Sequence, residues 1–329
     1  MDTELLLVSG VTRVGVAEVV DRLLTEPGTA VLHHDLSEVN DGVVRRRLRV
    51  ARPGGCTDRS SVLELAHGCV SCTLREDVLP LVRTLSERAE VRRIVLHLDP
   101  VMEPEQVCWA VLHVLHVLHV LLDGTPVAAD VTMAGVLTVL DPGRWLADAA
   151  SEDDLVGRGL ASLPDDERTM AQLVVAQAEF ADALVYAGET AADPWQPWQR
   201  ARTDAVLARL TPLAPRLGLA DLDPADPLAG VPGTARRGVP DTPHAALLRG
   251  QPPLDDDCGV RLALFTARRP FHPARLHEAM DLLLDGVVRS KGRIWLATRP
   301  EAVLWLESAG GGLQVGYVDQ WLAAGDQRA

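Results

Sequence analysis

The fold is decided by the stretch Glu4-Leu5-Leu6-Leu7-Val8-Ser9-Gly10-Val11-Thr12-Arg13-Val14-Gly15 near the start of the chain. Its first six residues form a short apolar run of the kind found in buried strands. Residues 16–24, which follow the second glycine, have helical periodicity. The stretch therefore predicts a strand, a glycine-containing turn and a helix, which is the first unit of an α/β protein.

Four more apolar runs predict buried strands, and three periodic stretches between them predict helices. The strands are predicted over residues 30–34, 94–98, 135–140 and 183–186, and the helices over residues 74–88, 105–122 and 169–181. Strands that alternate with crossover helices form a mostly parallel sheet with helices on both faces. The first part of the chain is therefore predicted to be a doubly covered α/β domain.

The composition of the chain changes twice along its length. Residues 212–257 are rich in Pro, Gly, Asp and Ala, which predicts a short helical piece followed by a linker. Beyond the linker we predict a strand over residues 261–267, a helix over 272–284 and strands over 294–298, 303–306 and 313–315. The interpretation is an α/β domain over residues 1–211, a linker over 212–257 and a small α+β domain over 258–329.

Overall composition restricts the classes of function. The chain has 329 residues, a net charge of −14 and 24% charged residues, which argues against a general affinity for nucleic acid. A local basic patch leaves contact with RNA-containing partners open, and no direct sequence-specific binding of nucleic acid is expected. No apolar run approaches the ~18–20 residues that cross a bilayer, so no membrane association is expected. The first ten residues carry acids where a signal peptide has basic residues. We therefore expect a cytoplasmic protein.

The turn after the first predicted strand keeps part of a phosphate-binding pattern. Gly10 and Gly15 have the spacing of the two glycines in G-x-x-x-x-G-K-[ST], but Val16 stands in place of the lysine and Ala17 in place of the Mg²⁺-binding hydroxyl. Lys291 is the only lysine of the chain, so no other lysine replaces the missing one. Two interpretations stay open: a vestigial phosphate loop, or an ordinary turn between strand and helix.

A second motif brings two thiols close together in sequence. Cys69 and Cys72 have the C-x-x-C spacing that suits zinc or redox chemistry, and His67 is a third possible ligand. A closed tetrahedral site needs a further ligand from the fold, for which Cys56, Cys108 and His97 are candidates. The alternative is that the two thiols bind nothing.

Basic residues concentrate in the predicted C-terminal domain of this acidic chain. One interpretation is a docking face for an acidic or phosphate-bearing partner. The other is a solvated edge and a helix-entry turn. The candidate partner-binding residues are Arg268, Arg269, His272, Arg289 and Lys291.

Taken in order, segments along nearly the whole chain resemble the CobW family of P-loop proteins. They include residues 10–17, 38–40, 68–72, 177–182, 268–273, 286–292, 295–300 and 308–310. The resemblance implies a P-loop-type sheet with a small C-terminal CobW-type domain. Within the family, residues 65–73, 108–109, 284–289 and 307–312 are most similar to an actinobacterial branch. That branch brings a hibernation factor to the ribosome when zinc is scarce.

The resemblance thus implies a recruitment factor whose partner is the ribosome or a ribosome hibernation factor. The alternative that it implies is a zinc metallochaperone or zinc-homeostasis GTPase, in which Cys69, Cys72 and a third ligand such as His67 hold zinc.

Several family positions have changed. Ser71 replaces the middle cysteine of the family's C-x-C-C motif, His97 stands at the Walker B glutamate, and residues 187–190 read Ala-Gly-Glu-Thr where GTPases have N-K-x-D. Phosphoryl transfer depends on Mg²⁺ and positioned charge. We therefore expect zinc to be the one candidate cofactor and do not expect efficient hydrolysis of GTP with Mg²⁺.

Overall fold

A computed structural model describes residues 3–65, 73–121, 131–160, 166–189, 197–242, 244–280 and 284–321, with the side chains of residues 113–121 left out. Most of the first part of the chain is organised around one eight-stranded sheet with the order β4-β3-β2-β5-β1-β6-β7-β8. Its strands are β1 Thr3–Ser9, β2 Thr29–Asp35, β3 Val43–Arg52, β4 Gly55–Glu64, β5 Arg93–His97, β6 Val131–Leu140, β7 Ala183–Tyr186 and β8 Arg216–Gly218.

Six neighbouring strands of this sheet, from β2 to β8, run parallel, which confirms the predicted fold class. The helices are α1 Arg13–Leu23, α2 Leu79–Ser86, α3 Pro104–Leu121, α4 Trp145–Ala149, α5 Met170–Phe180, α6 Pro197–Leu210 and α7 Pro273–Glu278. A π-helical turn, Leu74–Val78, leads into α2, and short 3₁₀ turns lie at Val39–Asp41 and Leu219–Asp221. In the part of the chain so described, no helix combines the length and the apolar character that a membrane span requires.

The helices cover both faces of the sheet because side chains alternate along each strand. On β1, Leu5 and Leu7 pack into one core with residues of α2 and α3. Leu6 and Val8 point the other way and pack with Val16 of α1. The unbroken apolar run of the first strand is therefore explained by burial on both faces.

Two antiparallel strands, β3 and β4, were not predicted from the sequence. They form a hairpin at the β2 edge of the sheet, closed by the turn around Pro53 and Gly54. Five arginines lie on β3, and each forms an ion pair with an acid outside the strand. The pairs are Arg45 with Glu38, Arg46 with Asp77, Arg47 with Asp58, Arg49 with Asp21 and Arg52 with Glu90. The charged side chains obscure the apolar pattern of β3 in the sequence. The Pro-Gly-Gly turn that follows it is nevertheless typical of a hairpin.

The segment over residues 212–257 differs from the predicted helical piece and linker, because it packs against the α/β domain. It contributes β8 to the large sheet, and Leu222, Leu228 and Val231 are buried in the core on the α1 face. The buried carboxylate of Asp182 accepts backbone N–H bonds from Arg237 at 2.7 Å and from Gly238 at 3.1 Å. These bonds fix the segment to the start of β7. The proposed domain boundaries stay predictions.

The C-terminal part contains a second sheet with the order β11-β10-β9, which confirms the predicted small α+β unit. Its strands are antiparallel: β9 Arg289–Leu296, β10 Arg299–Ala309 and β11 Gly312–Gln320. The strand predicted over residues 261–267 is wrong: these residues form no strand, and the side chains of Leu264 and Phe265 are 63% and 79% exposed. An apolar run predicts a strand only where another strand pairs with it.

The two sheets are joined by a buried ionic contact. The Glu179 carboxylate, on α5, accepts bonds from Arg289 at 2.9 Å and from Lys291, both on β9. Beside this contact, a side chain at Gly310 would overlap the carbonyl oxygen of Ser151, so the backbone of the β10–β11 turn lies directly on the α/β domain. The C-terminal sheet is therefore anchored to its neighbour by charge and by close backbone packing.

Candidate functional site

The turn between β1 and α1 is the segment for which the sequence left open a vestigial phosphate loop or an ordinary turn. Helix α1 already begins at Arg13, and Thr12 caps it: the Thr12 hydroxyl accepts the N–H of Gly15 at 3.3 Å and its carbonyl accepts the N–H of Val16 at 2.9 Å. These two backbone N–H groups bond within the turn itself, so they do not point into an open anion cradle.

Both glycines of the turn are needed for packing. A Cβ atom at Gly15 would lie 2.7 Å from the carbonyl oxygen of Ala187, and one at Gly10 would lie 2.5 Å from that of Val139. Val16, at the position of the missing lysine, is 1% exposed and belongs to the core on the α1 face. The geometry matches the interpretation of an ordinary, closely packed strand-to-helix turn.

The neighbouring strand ends, those of β2 and β5, carry polar side chains instead. His33 and His97 stack with their ring centroids 4.1 Å apart, and His33 Nδ1 lies 2.9 Å from the His97 carbonyl oxygen. Burial, followed by the proximity of His33, lowers the pKa of His97 to about 3. His97 is therefore neutral at physiological pH. The resemblance implies an acidic residue at this position, and the neutral imidazole supplies no negative charge for a Mg²⁺ ion.

On the opposite face of β2, His34 takes part in a buried ionic network. Its Nε2 lies 2.7 Å from the Asp77 carboxylate, and Asp77 also accepts a bond of 2.6 Å from Arg46. His34 is 7% exposed and Asp77 is 16% exposed. Burial tends to raise the pKa of Asp77, but His34 and Arg46 hold it below its ordinary value. The carboxylate therefore stays charged and fixes the orientation of the imidazole ring.

A small cavity adjoins this network. Its volume is about 20 Å³, which is room for about one water molecule. Most of the wall is apolar, and the polar residues among those that line it are His34, Thr73, His97 and Asp99. Thr73 is buried, and it directly follows Cys72 in the sequence. Thr73, at which the described part of the chain resumes, is therefore part of the cavity wall.

The candidate zinc ligands His67, Cys69 and Cys72 themselves lie outside the described residues. Among the residues that are described, no group of three or more His, Cys, Asp or Glu side chains is arranged to hold a metal ion. Cys56 is exposed, and Cys108 is buried in surroundings that raise the pKa of its thiol to about 12. Cys108 is therefore protonated at neutral pH, which makes it a poor metal ligand.

The five candidate partner-binding residues separate into two groups. Arg268, Arg269 and His272 are exposed at the entry to α7, where a partner can reach them. Arg289 and Lys291 face inward, toward Glu179, so their charges are used within the chain. Burial tends to raise the pKa of Glu179, but these two cations hold it below its ordinary value. The structure therefore leaves only the first group available as a docking face.

No local pattern in the sequence points to the pair formed by His34 and Asp77. They are 43 positions apart, and no local spacing connects them. The available signal was that His34 stands at the carboxyl end of a predicted strand, the edge where ligands bind in open parallel sheets.

Comparison with known proteins gives matches along most of the chain. The CobW/HypB/UreG nucleotide-binding domain matches residues 7–193, and the C-terminal domain of the cobalamin synthesis protein cobW matches residues 260–329. The zinc chaperone Rv0106 of Mycobacterium tuberculosis is 47% identical over 325 residues, which are 98% of this chain and 75% of that protein.

Two further matches are more distant. The zinc-regulated GTPase metalloprotein activator 1 of Dictyostelium discoideum is 26% identical over 311 residues, which are 89% of this chain and 62% of that protein. Among solved structures, the Zn(II)-bound YjiA GTPase of Escherichia coli aligns over 100% of this chain and 92% of its own, with a TM-score of 0.37 and 11% identity.

Proposed function

The chain belongs to the CobW family, and on that premise we propose that it is a zinc chaperone, which binds zinc through Cys69 and Cys72 and passes the ion to another protein. The observation that carries the proposal is its 47% identity, over 98% of its length, to a protein named a zinc chaperone. In this proposal zinc is the ion that the protein carries to another protein, and it is not a resident cofactor.

The chemistry of the motif agrees with this function. Thiolates are soft ligands that select zinc over the more abundant Mg²⁺ and Ca²⁺ ions. Ser71 in place of the family's middle cysteine removes one thiolate, so the site is expected to hold zinc less tightly than a three-thiolate site. A chaperone must release its ion, and a site with two thiolates suits transfer better than permanent storage.

Equilibrium zinc binding tests the proposal. The purified protein is titrated with zinc in competition with a chromophoric chelator, next to Cys69→Ser, Cys72→Ser and Cys56→Ser. We expect one zinc ion per wild-type chain and a loss of affinity of at least ~100-fold in either motif variant, because each removes a thiolate ligand. Cys56→Ser is the comparison outside the motif, because Cys56 is exposed on β4. An equal loss of affinity in that variant would identify Cys56 as the further ligand that the sequence left open. Equal affinity in all four proteins refutes the proposal.

Recruitment of a hibernation factor to the ribosome, which the sequence resemblance implies, stays a prediction. The names of the relatives refer to zinc and GTP and not to the ribosome. Capture of ribosomal proteins from zinc-starved cells by this chain, and its loss in an Arg268→Glu, Arg269→Glu double variant, is the outcome that would support it.

A further inference from the structure

We infer that β11 is the interface of a symmetric dimer, in which the outer edges of two β11 strands pair antiparallel and join two C-terminal sheets into one. The occupant of the edge is a second copy of this chain. Such a dimer needs neither zinc nor the cysteine motif, so it goes beyond the proposed function.

β11 is the outer strand of the C-terminal sheet, whose order is β11-β10-β9. One edge of β11 pairs with β10, and among the described residues no strand pairs with its other edge. Alternate N–H and C=O groups of β11 therefore point outward, which makes the edge a template for pairing with another chain. Every residue from Leu313 to Tyr317 is exposed, so a second strand can reach this edge.

The other three sheet edges in the described part of the chain are protected. Proteins normally protect such edges with charged side chains, short strands or a covering segment. Strand β4 carries Asp58, Arg59 and Glu64, and β8 has only three residues. Strand β9 carries three basic residues, and the backbone of Phe271 pairs with its end.

The edge of β11 has none of these protections. From Gly312 to Val318 the strand contains no charged residue and no proline. Its one acid, Asp319, lies near the end of the strand, where its carboxylate is 3.0 Å from Nε2 of His244. A long, uncharged and exposed edge is an expected site of strand pairing.

The side chains of β11 add an apolar surface to the open backbone. Leu313, Val315 and Tyr317 occupy alternate positions and therefore share one face of the strand, with exposed fractions of 37%, 47% and 60%. Val315 lies opposite Leu306 of β10, which belongs to the buried apolar cluster of the C-terminal sheet. The three side chains thus continue that cluster to the open edge.

The pattern of β11 is complementary to itself, which favours a second copy over a different protein. When Val315 lies opposite the partner's Val315, Leu313 lies opposite the partner's Tyr317, so apolar side chains meet on both sides of the two-fold axis. In this register the Asp319 carboxylates of the two copies lie at opposite ends of the paired strands. No like charges therefore meet along the interface.

The distribution of charge favours the same contact. The chain has a net charge of −14, but residues 258–329 contain nine basic and seven acidic residues. Two copies of an acidic protein repel each other least where their least acidic parts meet. The edge of β11 lies in that part.

Sedimentation equilibrium of the full chain tests the dimer, with a chelator and a reductant present so that neither zinc nor a disulfide joins two chains. We expect the wild type to dimerise and Val315→Lys to raise the dissociation constant by at least ~10-fold, because two ammonium groups then face each other. Val62→Lys is the matched control, since Val62 is 58% exposed on the charged edge strand β4. It should change the dissociation constant by less than ~3-fold.

A charge swap separates loss of the interface from loss of the fold. Val315→Glu alone should weaken the dimer as Val315→Lys does, whereas an equal mixture of the two variants should restore it, because opposite charges then face each other across the axis. A monomeric wild type, an undiminished Val315→Lys dimer or a mixture that stays monomeric overturns the inference. Each of these outcomes leaves the zinc chaperone proposal standing, because zinc titration tests it separately.

Discussion

The ends of β1 and β2 lie at the same edge of the large sheet, with β5 between them, and they differ in what they carry. The end of β1 keeps the glycines of a phosphate loop but is closed by the Thr12 cap and lined by a buried valine. The end of β2 has no recognised motif, yet it carries a carboxylate-bound histidine beside a cavity. The comparison shows that glycines can keep the spacing of a phosphate loop because close packing requires them. Binding a ligand requires polar side chains that are held in place within reach of it.

The largest change in stability is expected when the missing lysine is restored at the end of β1. Val16→Lys places an ammonium group where the side chain is 1% exposed. Because nothing there compensates a buried charge, we expect the free energy of unfolding to fall by about 3–5 kcal/mol, measured by urea denaturation. Val14→Lys is the control, since Val14 on the same helix is 49% exposed and should change stability by less than about 0.5 kcal/mol. Equal stability of the two variants would show that the turn opens to accept a cation.

Gly15→Ala tests the packing role of the second glycine. Alanine favours a helix over glycine by about 1 kcal/mol, but the added Cβ would lie 2.7 Å from the Ala187 carbonyl oxygen. We expect the clash to dominate and to lower the free energy of unfolding by about 1–3 kcal/mol. Gly55→Ala has open space around it and should leave stability unchanged or raise it slightly. A stabilised Gly15→Ala would contradict the close approach of α1 to β7.

The pH dependence of stability tests the buried histidine pair at the ends of β2 and β5. Below pH 6.5 the unfolded chain protonates its histidines, whereas His97 in the folded protein stays neutral down to about pH 3. The unfolded state then binds more protons, so the free energy of unfolding falls as the pH falls from about 6.5 toward 3. His97 contributes up to about 1.4 kcal/mol per pH unit.

Denaturation curves at pH 7, 6 and 5 measure this slope. His97→Gln should flatten it, and His277→Gln, at an exposed position on α7, should not. A slope that is the same in the wild type and in His97→Gln would show that His97 does not stay neutral in the folded state.

The smallest expected effect is the change in melting temperature when a ligand is added. A ligand that binds only the folded state raises the melting temperature in proportion to RT ln(1 + [L]/Kd). Zinc should raise it, whereas millimolar GTP with Mg²⁺ should leave it unchanged, because the turn after β1 offers neither a lysine nor a hydroxyl at the required positions. A saturable rise with Mg²⁺ and GTP would mean that other groups bind the nucleotide.

The parts of the fold that the sequence predicted are those with unbroken apolar runs. Strands β1, β5 and β7 are buried on both faces, so their residues are almost all apolar and predict the strands directly. Strand β3 escaped notice because arginines at 45, 46, 47 and 49 interrupt its apolar residues, and those charges are neutralised by acids elsewhere in the chain. The apolar residues 261–267 predicted a strand that does not form, because no other described strand pairs with them.

The candidate site divides in the same way. The C-x-x-C spacing and the missing lysine are local facts that can be read in order along the chain. The contact of His34 with Asp77 arises only when the π-helical turn before α2 packs against β2. The inward orientation of Arg289 and Lys291 likewise depends on Glu179, more than one hundred positions away.

By itself, the sequence determined that this is an α/β protein of the CobW family whose phosphate loop has lost its charged and Mg²⁺-binding residues, because each of those facts resides in residues that are near one another along the chain. Only the tertiary structure decided that the loop is closed, that one histidine of β2 is oriented toward a cavity and that two basic residues are committed to an internal carboxylate. Those outcomes depend on side chains that become neighbours when the sheet and its helices pack together.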